Sequence, residues 1–336
     1  MAWYEIKGND GDVVFSSRVR LARNLTGYRF DEGLSEKDAK EIIDKIGAAL
    51  GNGYKRTDFA DVTPTLAGAM VEQHRISREF AAKKTPHALF EDDNKSVGVM
   101  ACEEDHIRLQ CILPGLALRD AYRFACEADD KLDAGLDIAY DDRLGYLTHC
   151  PTNLGTGMRA SVMLFLPALT EGGYVPSLAH QLSKIGLTMR GLYGEGSASQ
   201  GCLYQVSNQV TLGLSEEEIL HKLEESVGNI IKRERELRNK VSGEAAALRE
   251  DRIHRAEGTL RYATRMSSEE FFSLFADLKL GIALGLIDTI KDEQLNALLI
   301  HVLPATLTLA AGNAPKNGAQ RDAFRASYIK KALEVK

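Results

Sequence analysis

The stretch CPTNLGTGMRASV, residues 150–162, leads directly into an apolar run at 162–169. Its glycines allow backbone amides to come close to a ligand, as in loops that bind phosphate. Arg159 adds a planar guanidinium that matches phosphate oxygens, and a positive charge near Cys150 favours the thiolate form of that side chain. An ordinary connecting turn is the alternative, because glycine and proline are common in turns. The stretch therefore favours a functional loop followed by a strand.

A basic segment nearer the N-terminus, SSRVRLARN at 16–24, alternates polar and apolar residues. On a β-strand this alternation places Arg18 and Arg20 on the same face. Two neighbouring guanidinium groups repel each other unless an anion lies between them; a solvated basic strand is the alternative. Farther along, the loop RGLYGEG at 190–196 carries an arginine and a glutamate among glycines, which is also typical of surface loops.

Three consecutive acids, Glu103, Glu104 and Asp105, follow a predicted strand at 97–100. Adjacent carboxylates repel one another, so we expect at least one of them to bind a cationic partner. A solvated charge cluster in a turn is the alternative.

Together these segments resemble the phosphagen (guanidino) kinase family, which includes creatine and arginine kinases. The resemblance rests on SSRVR at 16–20, EEDH at 103–106, CPTNLGTG at 150–157 and the loop from Arg190 to Glu195. The four segments occur in the family's order. Small-molecule members carry a helical domain before the first arginine pair, whereas here the pair occurs at Arg18 and about a hundred residues follow the catalytic segments, roughly the size of one small domain.

This layout resembles the bacterial branch of the family that phosphorylates arginine in proteins. It implies transfer of the γ-phosphoryl group of ATP to arginine side chains, which marks the protein for regulation or degradation. A small-molecule guanidino kinase is the alternative, and a catalytically silent adaptor that binds phosphoarginine is a third hypothesis. The implied partners are protein substrates, a zinc-binding activator protein, a Clp-type protease system and a second copy in a homodimer.

The resemblance also assigns roles to residues. Glu104 is expected to be the base, Glu195 the second carboxylate, Asp105 an orienting acid and Cys150 the reactive cysteine beside the substrate. Magnesium is expected to arrive with ATP, held by phosphates and water, without a protein metal site. The implied ATP site comprises Ser16, Ser17, Arg18, Val19, Arg20, His74, Arg108, Arg159, Ala160, Ser161, Val162, Met163, Arg190, Gly191, Leu192, Tyr193, Gly194 and Glu195.

Two of these residues have alternative interpretations, and a third residue, next to the acidic run, departs from the family. His74 is alternatively a structural histidine that forms local hydrogen bonds. Cys150 is alternatively a small buried side chain. Cys102 stands where the family usually has asparagine, which puts the local hydrogen bonding in question.

A regulatory site is implied near the C-terminus by RDAFRA at 321–326. Helical spacing places Arg321 and Arg325 on one face, next to Asp322. By resemblance, two arginines bind a phosphoryl group and an aspartate binds a guanidinium, so that Arg321, Asp322, Arg325 and Ala326 form an allosteric phosphoarginine pocket. A surface salt-bridge cluster is the alternative.

Composition limits the other possibilities. The chain has 336 residues, and 44% of them are hydrophobic, enough to form cores. Its net charge of −6 argues against general nucleic-acid binding. Apolar stretches such as 280–287 and 297–303 are shorter than the roughly 20 residues of a membrane span. No signal peptide is recognisable, so a cytoplasmic location is expected. The five cysteines lack Cys-x-x-Cys spacing and indicate neither a disulfide framework nor a zinc site.

These patterns predict two domains. Residues 1–237 are expected to form an α+β catalytic domain with strands at 97–100, 107–112 and 161–165, and helices at 35–50, at 116–132 and from Ser215. The resemblance supplies a curved antiparallel sheet flanked by helices. Residues 238–336 are expected to be all helical, with one helix capped at Ser267. The resemblance implies that this region serves dimerisation and phosphoarginine sensing.

Overall fold

The computed structural model describes residues 1–30, 33–94, 96–191, 200–312, 315 and 317–333. Its strands are β1 (Val14–Arg23), β2 (Tyr54–Asp58), β3 (Ala88–Asp92), β4 (Val97–Ala101), β5 (Ile107–Pro114), β6 (Tyr140–Asp141), β7 (Gly145–Tyr146), β8 (Met158–Phe165), β9 (Leu187–Gly191) and β10 (Leu203–Asn208). Its helices are α1 (Glu36–Leu50), α2 (Pro64–Glu72), α3 (Arg78–Ala82), α4 (Leu118–Gly135), α5 (Pro167–Glu171), α6 (Val175–Lys184), α7 (Glu216–Lys240), α8 (Glu244–Tyr262), α9 (Ser268–Ala283), α10 (Asp292–His301), α11 (Pro304–Ala310) and α12 (Gly318–Leu333).

Eight strands form one antiparallel sheet in the order β2-β3-β4-β5-β1-β8-β10-β9, and β6 pairs separately with β7. The strand that carries the first arginine pair lies near the centre, because β1 pairs with β5 on one side and with β8 on the other. The predicted α+β class and antiparallel sheet are therefore confirmed.

The predicted helix starts at Ser35 and Ser215 are confirmed by capping contacts, whereas the helix expected from 116 begins at Leu118 without a side-chain cap. The Ser35 hydroxyl accepts a hydrogen bond from the backbone of Asp38 at 3.1 Å, and α1 begins at the next residue. Ser215 and Glu218 form a reciprocal capping box at the start of α7. Each cap satisfies backbone N–H groups that the first helical turn leaves without a partner, which is why a local pattern predicts them.

One face of the sheet is apolar and packs against α1, α4 and α7. The alternation of β1 directs Val19 and Leu21 into this core, while Arg18 and Arg20 lie on the other face. Because successive residues of a strand point to opposite faces, the principal core lies on one face of the sheet and the basic residues lie on the other.

The other face of the sheet changes character along its strands. Arg159 and Ser161 lie at one end of β8, and Met163 and Phe165 lie at the other. The apolar end belongs to a second core, which it shares with α8, α9, α10 and α12. The helical region therefore packs on the sheet beside the basic residues, and no strand occurs among the residues described between 238 and 333.

The helix that crosses the predicted domain boundary continues beyond residue 237. α7 ends at Lys240, and Glu234 and Arg238 form a buried ion pair near its end, with Arg238 Nε 2.7 Å from Glu234 Oε1. Glu234 also accepts backbone hydrogen bonds from Ala168 and Leu169, both at 2.9 Å. A division at the turn after Lys240 fits these contacts better than one at 237. Along the part of the chain that the structure describes, no helix has the length and apolarity to cross a bilayer.

Candidate active site

Strand register gathers the basic side chains on one face of the sheet. Arg20 lies opposite Arg159 in β8 and opposite Gln110 in β5, and directly opposed residues share a face. Arg190 in β9 lies opposite Gln205 in β10. The arginine cluster defined in this way comprises Arg18, Arg20, Arg108, Arg159 and Arg190.

Within the described part of the chain, the arginine cluster carries more positive charge than neighbouring acids balance. Burial, then the charges of Arg159 and Arg108, lower the pKa of the Arg18 side chain to about 10. Burial and neighbouring arginines also lower the pKa of Arg20 and of Arg159. Among the described residues, the buried Nε atoms of Arg20 and Arg159 have no hydrogen-bond partner. A multiply charged anion such as a triphosphate would satisfy both the charge and these donors.

Polar groups of β10 hold two members of the arginine cluster from the side. Arg18 Nη2 donates to Gln205 Oε1 at 3.0 Å, and Arg159 Nη2 donates to Ser207 Oγ at 3.3 Å. Both acceptors are neutral, so they orient the guanidinium groups without neutralising them.

The first acid of the EEDH run is a structural clamp. Glu103 is 3% exposed, pairs with Arg108 and accepts hydrogen bonds from Ser77 Oγ at 2.6 Å and from the Glu104 backbone at 2.8 Å. Burial raises the pKa of Glu103, but the Arg108 charge and these hydrogen bonds outweigh it and lower the pKa below its usual range. The expectation that one acid binds a cation is confirmed.

The second acid of the run, Glu104, is placed as a candidate base. Its side chain is 40% exposed, and its Oε2 lies 3.7 Å from Arg108 Nη2. Burial raises the pKa of Glu104, and the charges of Asp105 and Glu103 raise it further against the opposing effect of Arg108. A carboxylate with a raised pKa accepts a proton more readily than an ordinary surface carboxylate.

The third acid joins the run to the cysteine loop. Asp105 is buried, and its Oδ1 accepts hydrogen bonds from Asn24 Nδ2 and from the His149 backbone, both at 2.7 Å. These contacts suit the orienting role that the resemblance implies, since they leave this oxygen engaged with the protein.

Cys102 makes the tight turn before the run. Its φ is +59°, its backbone donates to His106 O at 2.8 Å, and its Sγ lies 3.7 Å from Ala39 O. Asparagine adopts positive φ more readily than most residues, so the family's residue suits this position and cysteine fills it at some cost in strain.

The cysteine loop is held by its own backbone. Cys150 is half-buried, with Sγ 3.0 Å from Thr152 Oγ1. Gly155 has φ +106°, and a Cβ there would lie 2.4 Å from Thr211 O. At Gly157 a Cβ would lie 2.6 Å from Ala22 O. Both glycines are therefore required by close contact with neighbouring backbone, and binding of a ligand by the amides of this loop stays a prediction.

His74 lies at the edge of the arginine cluster. Burial, then the charge of Arg18, lower its pKa to about 4, so the ring is neutral at physiological pH. Its backbone has φ +59°, and Gln110 Nε2 donates to its carbonyl at 2.9 Å. The residue is therefore held in an unusual conformation with its ring uncharged.

The predicted ATP site is only partly assembled on this face. Alternation along β1 and β8 turns the side chains of Ser17, Val19, Ala160 and Val162 to the core face, where Ser17 Oγ donates to Gly115 O at 2.8 Å. Those four side chains cannot contact a ligand on the cluster face, so only the backbone of these residues could contribute to the predicted ATP site. Ser16, Ser161 and Met163 lie on the cluster side near Arg18 and His74, and Gly191 ends β9. Leu192, Tyr193, Gly194 and Glu195 lie outside the described residues.

In the predicted phosphoarginine motif, Arg325 is buried and does not form a binding surface with Arg321 as helical spacing predicts. Arg325 is 1% exposed and donates to Met266 O at 2.7 Å and to Val302 O at 2.9 Å, while its Nη1 lies 2.5 Å from Asp322 Oδ1. The structure therefore does not present Arg325 as a second phosphoryl-binding arm. Arg321 has a buried Nε without a partner among the described residues, and Ala326 is buried.

Three contacts of the site were missed by reasoning from sequence. Glu103 was not separated from the other two acids as the clamp, and Gln205 was not connected with Arg18. His149 was not connected with the acidic run, although its backbone donates to Asp105 Oδ1 and its ring lies 5.5 Å from that of Phe30. A prediction of strand register could have found the Gln205 contact, because it would have placed this polar residue on the same sheet face as Arg18.

Comparisons with known proteins agree with this geometry. A family model described as ATP:guanido phosphotransferase, C-terminal catalytic domain, matches residues 36–237. A second, described as Protein-arginine kinase McsB C-terminal domain, matches 247–336. The protein-arginine kinase of Caldanaerobacter subterraneus subsp. tengcongensis is 42% identical over 335 residues, which are 97% of this chain and 98% of that relative. This chain belongs to the protein-arginine kinase family.

Further relatives and solved structures are consistent with the same family. The protein-arginine kinase of Symbiobacterium thermophilum is 41% identical, covering 99% of this chain and 96% of that protein. The duplicated taurocyamine kinase from Schistosoma mansoni, solved with bound transition state analog components, is 29% identical with a TM-score of 0.61. The match covers 67% of this chain and 33% of that duplicated chain. A lombricine kinase structure, 24% identical with a TM-score of 0.62 over 70% of each chain, shares the fold.

Proposed function

We propose that this protein is an ATP-dependent kinase that phosphorylates arginine side chains of proteins. The observation that carries the proposal is the arginine cluster beside Glu104 with its raised pKa, where the buried Nε donors of Arg20 and Arg159 have no partner among the described residues. One feature suits a triphosphate, and the other suits an acceptor that must lose a proton.

The chemistry follows from the acceptor. A guanidinium has a pKa above about 12, so it is protonated at physiological pH and is a poor nucleophile. Glu104 accepts its proton as the guanidine nitrogen bonds to the γ-phosphorus; the bond from that phosphorus to the β–γ bridging oxygen breaks, and ADP leaves. General-base catalysis of this kind contributes about 10² to 10⁴ in rate.

The arginine cluster supplies electrostatic stabilisation to the same step. Charge in the transition state spreads over the oxygens of the transferred phosphoryl group, and fixed guanidinium donors stabilise it without reorganisation. The cluster presents nitrogen donors and not oxygen ligands, so Mg²⁺ is proposed to arrive with ATP and to be held by phosphates and water. Bound there, it would neutralise phosphate charge.

Protein arginine is the preferred acceptor over a small guanidine. The match of 247–336 to the C-terminal domain model of protein-arginine kinases and the names of the full-length relatives support this choice. The alternative is a phosphagen kinase that acts on a free guanidine.

The distinguishing experiment supplies ATP with either free arginine or an unfolded, arginine-rich protein. Mass spectrometry at neutral pH, which preserves acid-labile N–P bonds, should detect phosphoarginine in the protein arm, and Glu104→Gln is the matched inactive control. Product only from free arginine would favour the phosphagen kinase. No product in either arm would favour a silent adaptor.

Regulation is proposed to involve the 321–326 motif. Arg321 has an Nε with no partner in the described part of the chain, and the Asp322 side chain is 33% exposed, so the two offer opposite charges to the two ends of phosphoarginine. Arg325 would shape this pocket from inside. A homodimer, a zinc-binding activator, a Clp-type protease system, a stress-response role and a cytoplasmic location stay predictions from the resemblance.

A further inference from the structure

A cavity of about 610 Å³ lies between the sheet face and the helical region. Its sheet-side lining includes Arg18, His74 and Met163, and its helical lining includes Phe272, Leu299 and Leu303. This volume falls within the range of about 300 to 1,000 Å³ that is usual for small-molecule sites. Its walls are therefore built by both parts of the chain.

The cavity is continuous with the arginine cluster. Arg18 belongs to both, so a ligand whose charged end contacts the cluster can extend directly into the cavity. Apart from Ser268, the lining on the helical side is apolar and carries no charge, which suits a planar base and not a second phosphate. His74 adds a neutral ring at the junction.

We propose that the helical region forms one wall of the nucleotide pocket, with Leu303, Leu299 and Phe272 packing against the purine base while the arginine cluster binds the phosphates. This inference rests on the proposed function, since it takes ATP as the phosphoryl donor. It makes the helical region part of donor recognition.

A carboxylate from the catalytic region fixes this wall. Glu72, at the end of α2, accepts hydrogen bonds from the backbone of Ala305 at 2.8 Å and of Thr306 at 2.7 Å, at the start of α11. Thr306 Oγ1 also donates to Glu72 at 2.7 Å. Glu72 precedes His74 by two residues, so one short segment positions both sides of the cavity.

A second tie comes from inside the helical region. The buried Arg325 guanidinium donates to Val302 O and to Met266 O. Val302 immediately precedes Leu303, and Met266 precedes Ser267, which caps α9. The two segments that form the helical wall are thus held together by one side chain of α12.

The test uses the full chain and two probes that separate base from phosphate. Inorganic tripolyphosphate reports binding to the arginine cluster, and ATP reports the cluster together with the cavity, both by isothermal titration calorimetry. Leu303→Trp should fill the cavity and weaken ATP binding by on the order of tenfold or more while tripolyphosphate binds as in the wild type. Leu303→Ala, a milder loss of apolar contact, should weaken ATP binding by about three- to tenfold.

Leu309 provides the matched control. It lies on α11, which begins directly after Leu303, is 46% exposed and does not line the cavity. Leu309→Trp should leave binding of both probes unchanged. Wild-type tripolyphosphate affinity in the Leu303 variants also shows that the sheet face is folded.

The outcomes separate this inference from the proposed function. Unchanged ATP affinity in both Leu303 variants, or an equal loss for ATP and tripolyphosphate, overturns the helical wall and leaves the kinase proposal standing. Binding of tripolyphosphate but not of ATP by the wild type would overturn both. Selective loss of ATP affinity supports the wall.

Discussion

Glu103→Gln tests whether the first acid of the run controls the second. The change keeps the shape of the side chain and removes the charge that pairs with Arg108. Arg108 then has Glu104, now 3.7 Å away, as its nearest carboxylate among the described residues. Since the Glu103 charge helps to raise the pKa of Glu104, its loss should lower that pKa and weaken the base.

The magnitude follows from burial. Breaking a fully buried ion pair costs about 3 to 5 kcal/mol. Here Glu103 is 2% exposed at its side chain but Arg108 is 20% exposed and has Glu104 nearby, so we expect about 2 to 3 kcal/mol of unfolding free energy to be lost. The rate should fall by at most roughly 10², since complete loss of a general base costs about 10² to 10⁴ and Glu104 is still present.

The assay is the pH profile of kcat together with urea unfolding. The acid limb of the wild type should lie above the usual glutamate range, and in Glu103→Gln it should move to lower pH. Glu104→Gln is the matched control: it should abolish turnover but change stability little, because that side chain is 40% exposed. An unchanged acid limb and unchanged stability in Glu103→Gln would refute the clamp.

Three further predictions concern other parts of the chain. Arg159→Lys should lose about tenfold or more in kcat/KM despite keeping its charge, because an ammonium cannot form the paired donors of a guanidinium; wild-type kinetics would contradict this. His74 should titrate near pH 4 by NMR, so its contribution to stability is complete above about pH 6.5 and is lost as the pH falls toward 4; a midpoint near 6.5 would contradict it. Arg321→Ala should abolish the stimulation of kinase activity by phosphoarginine without changing Tm. Arg325→Ala should lower Tm, because it leaves the carbonyls of Met266 and Val302 and the Asp322 carboxylate without their donor. Stimulation that survives Arg321→Ala would exclude Arg321 from the phosphoarginine site.

Prediction from sequence succeeded where the physical cause is local. The alternation at 16–24 was enough to place Arg18 and Arg20 on one face, because successive strand residues point to opposite sides. Ser35 and Ser215 predicted helix starts because a cap bonds to a backbone group three residues away. The family resemblance then predicted the phosphoryl-transfer chemistry, which the periodicity of the sequence does not indicate.

Local patterns did not decide which acid clamps and which is available as a base. Glu103 and Glu104 are adjacent and chemically identical, and only the packing of Ser77 and Arg108 around the first separates them. Likewise, helical spacing put Arg325 beside Arg321, but spacing does not tell which side of a helix faces the carbonyls of Met266 and Val302.

The sequence by itself determined the periodicity, the caps and the residue types of the catalytic segments, because these depend on neighbours a few residues apart. The tertiary structure decided the contacts between distant segments. Arg18 meets Gln205 across 187 residues, and Glu72 caps a helix more than 230 residues later. Such pairs depend on strand register and on how the helical region docks, and both are set by burial over the whole sheet face.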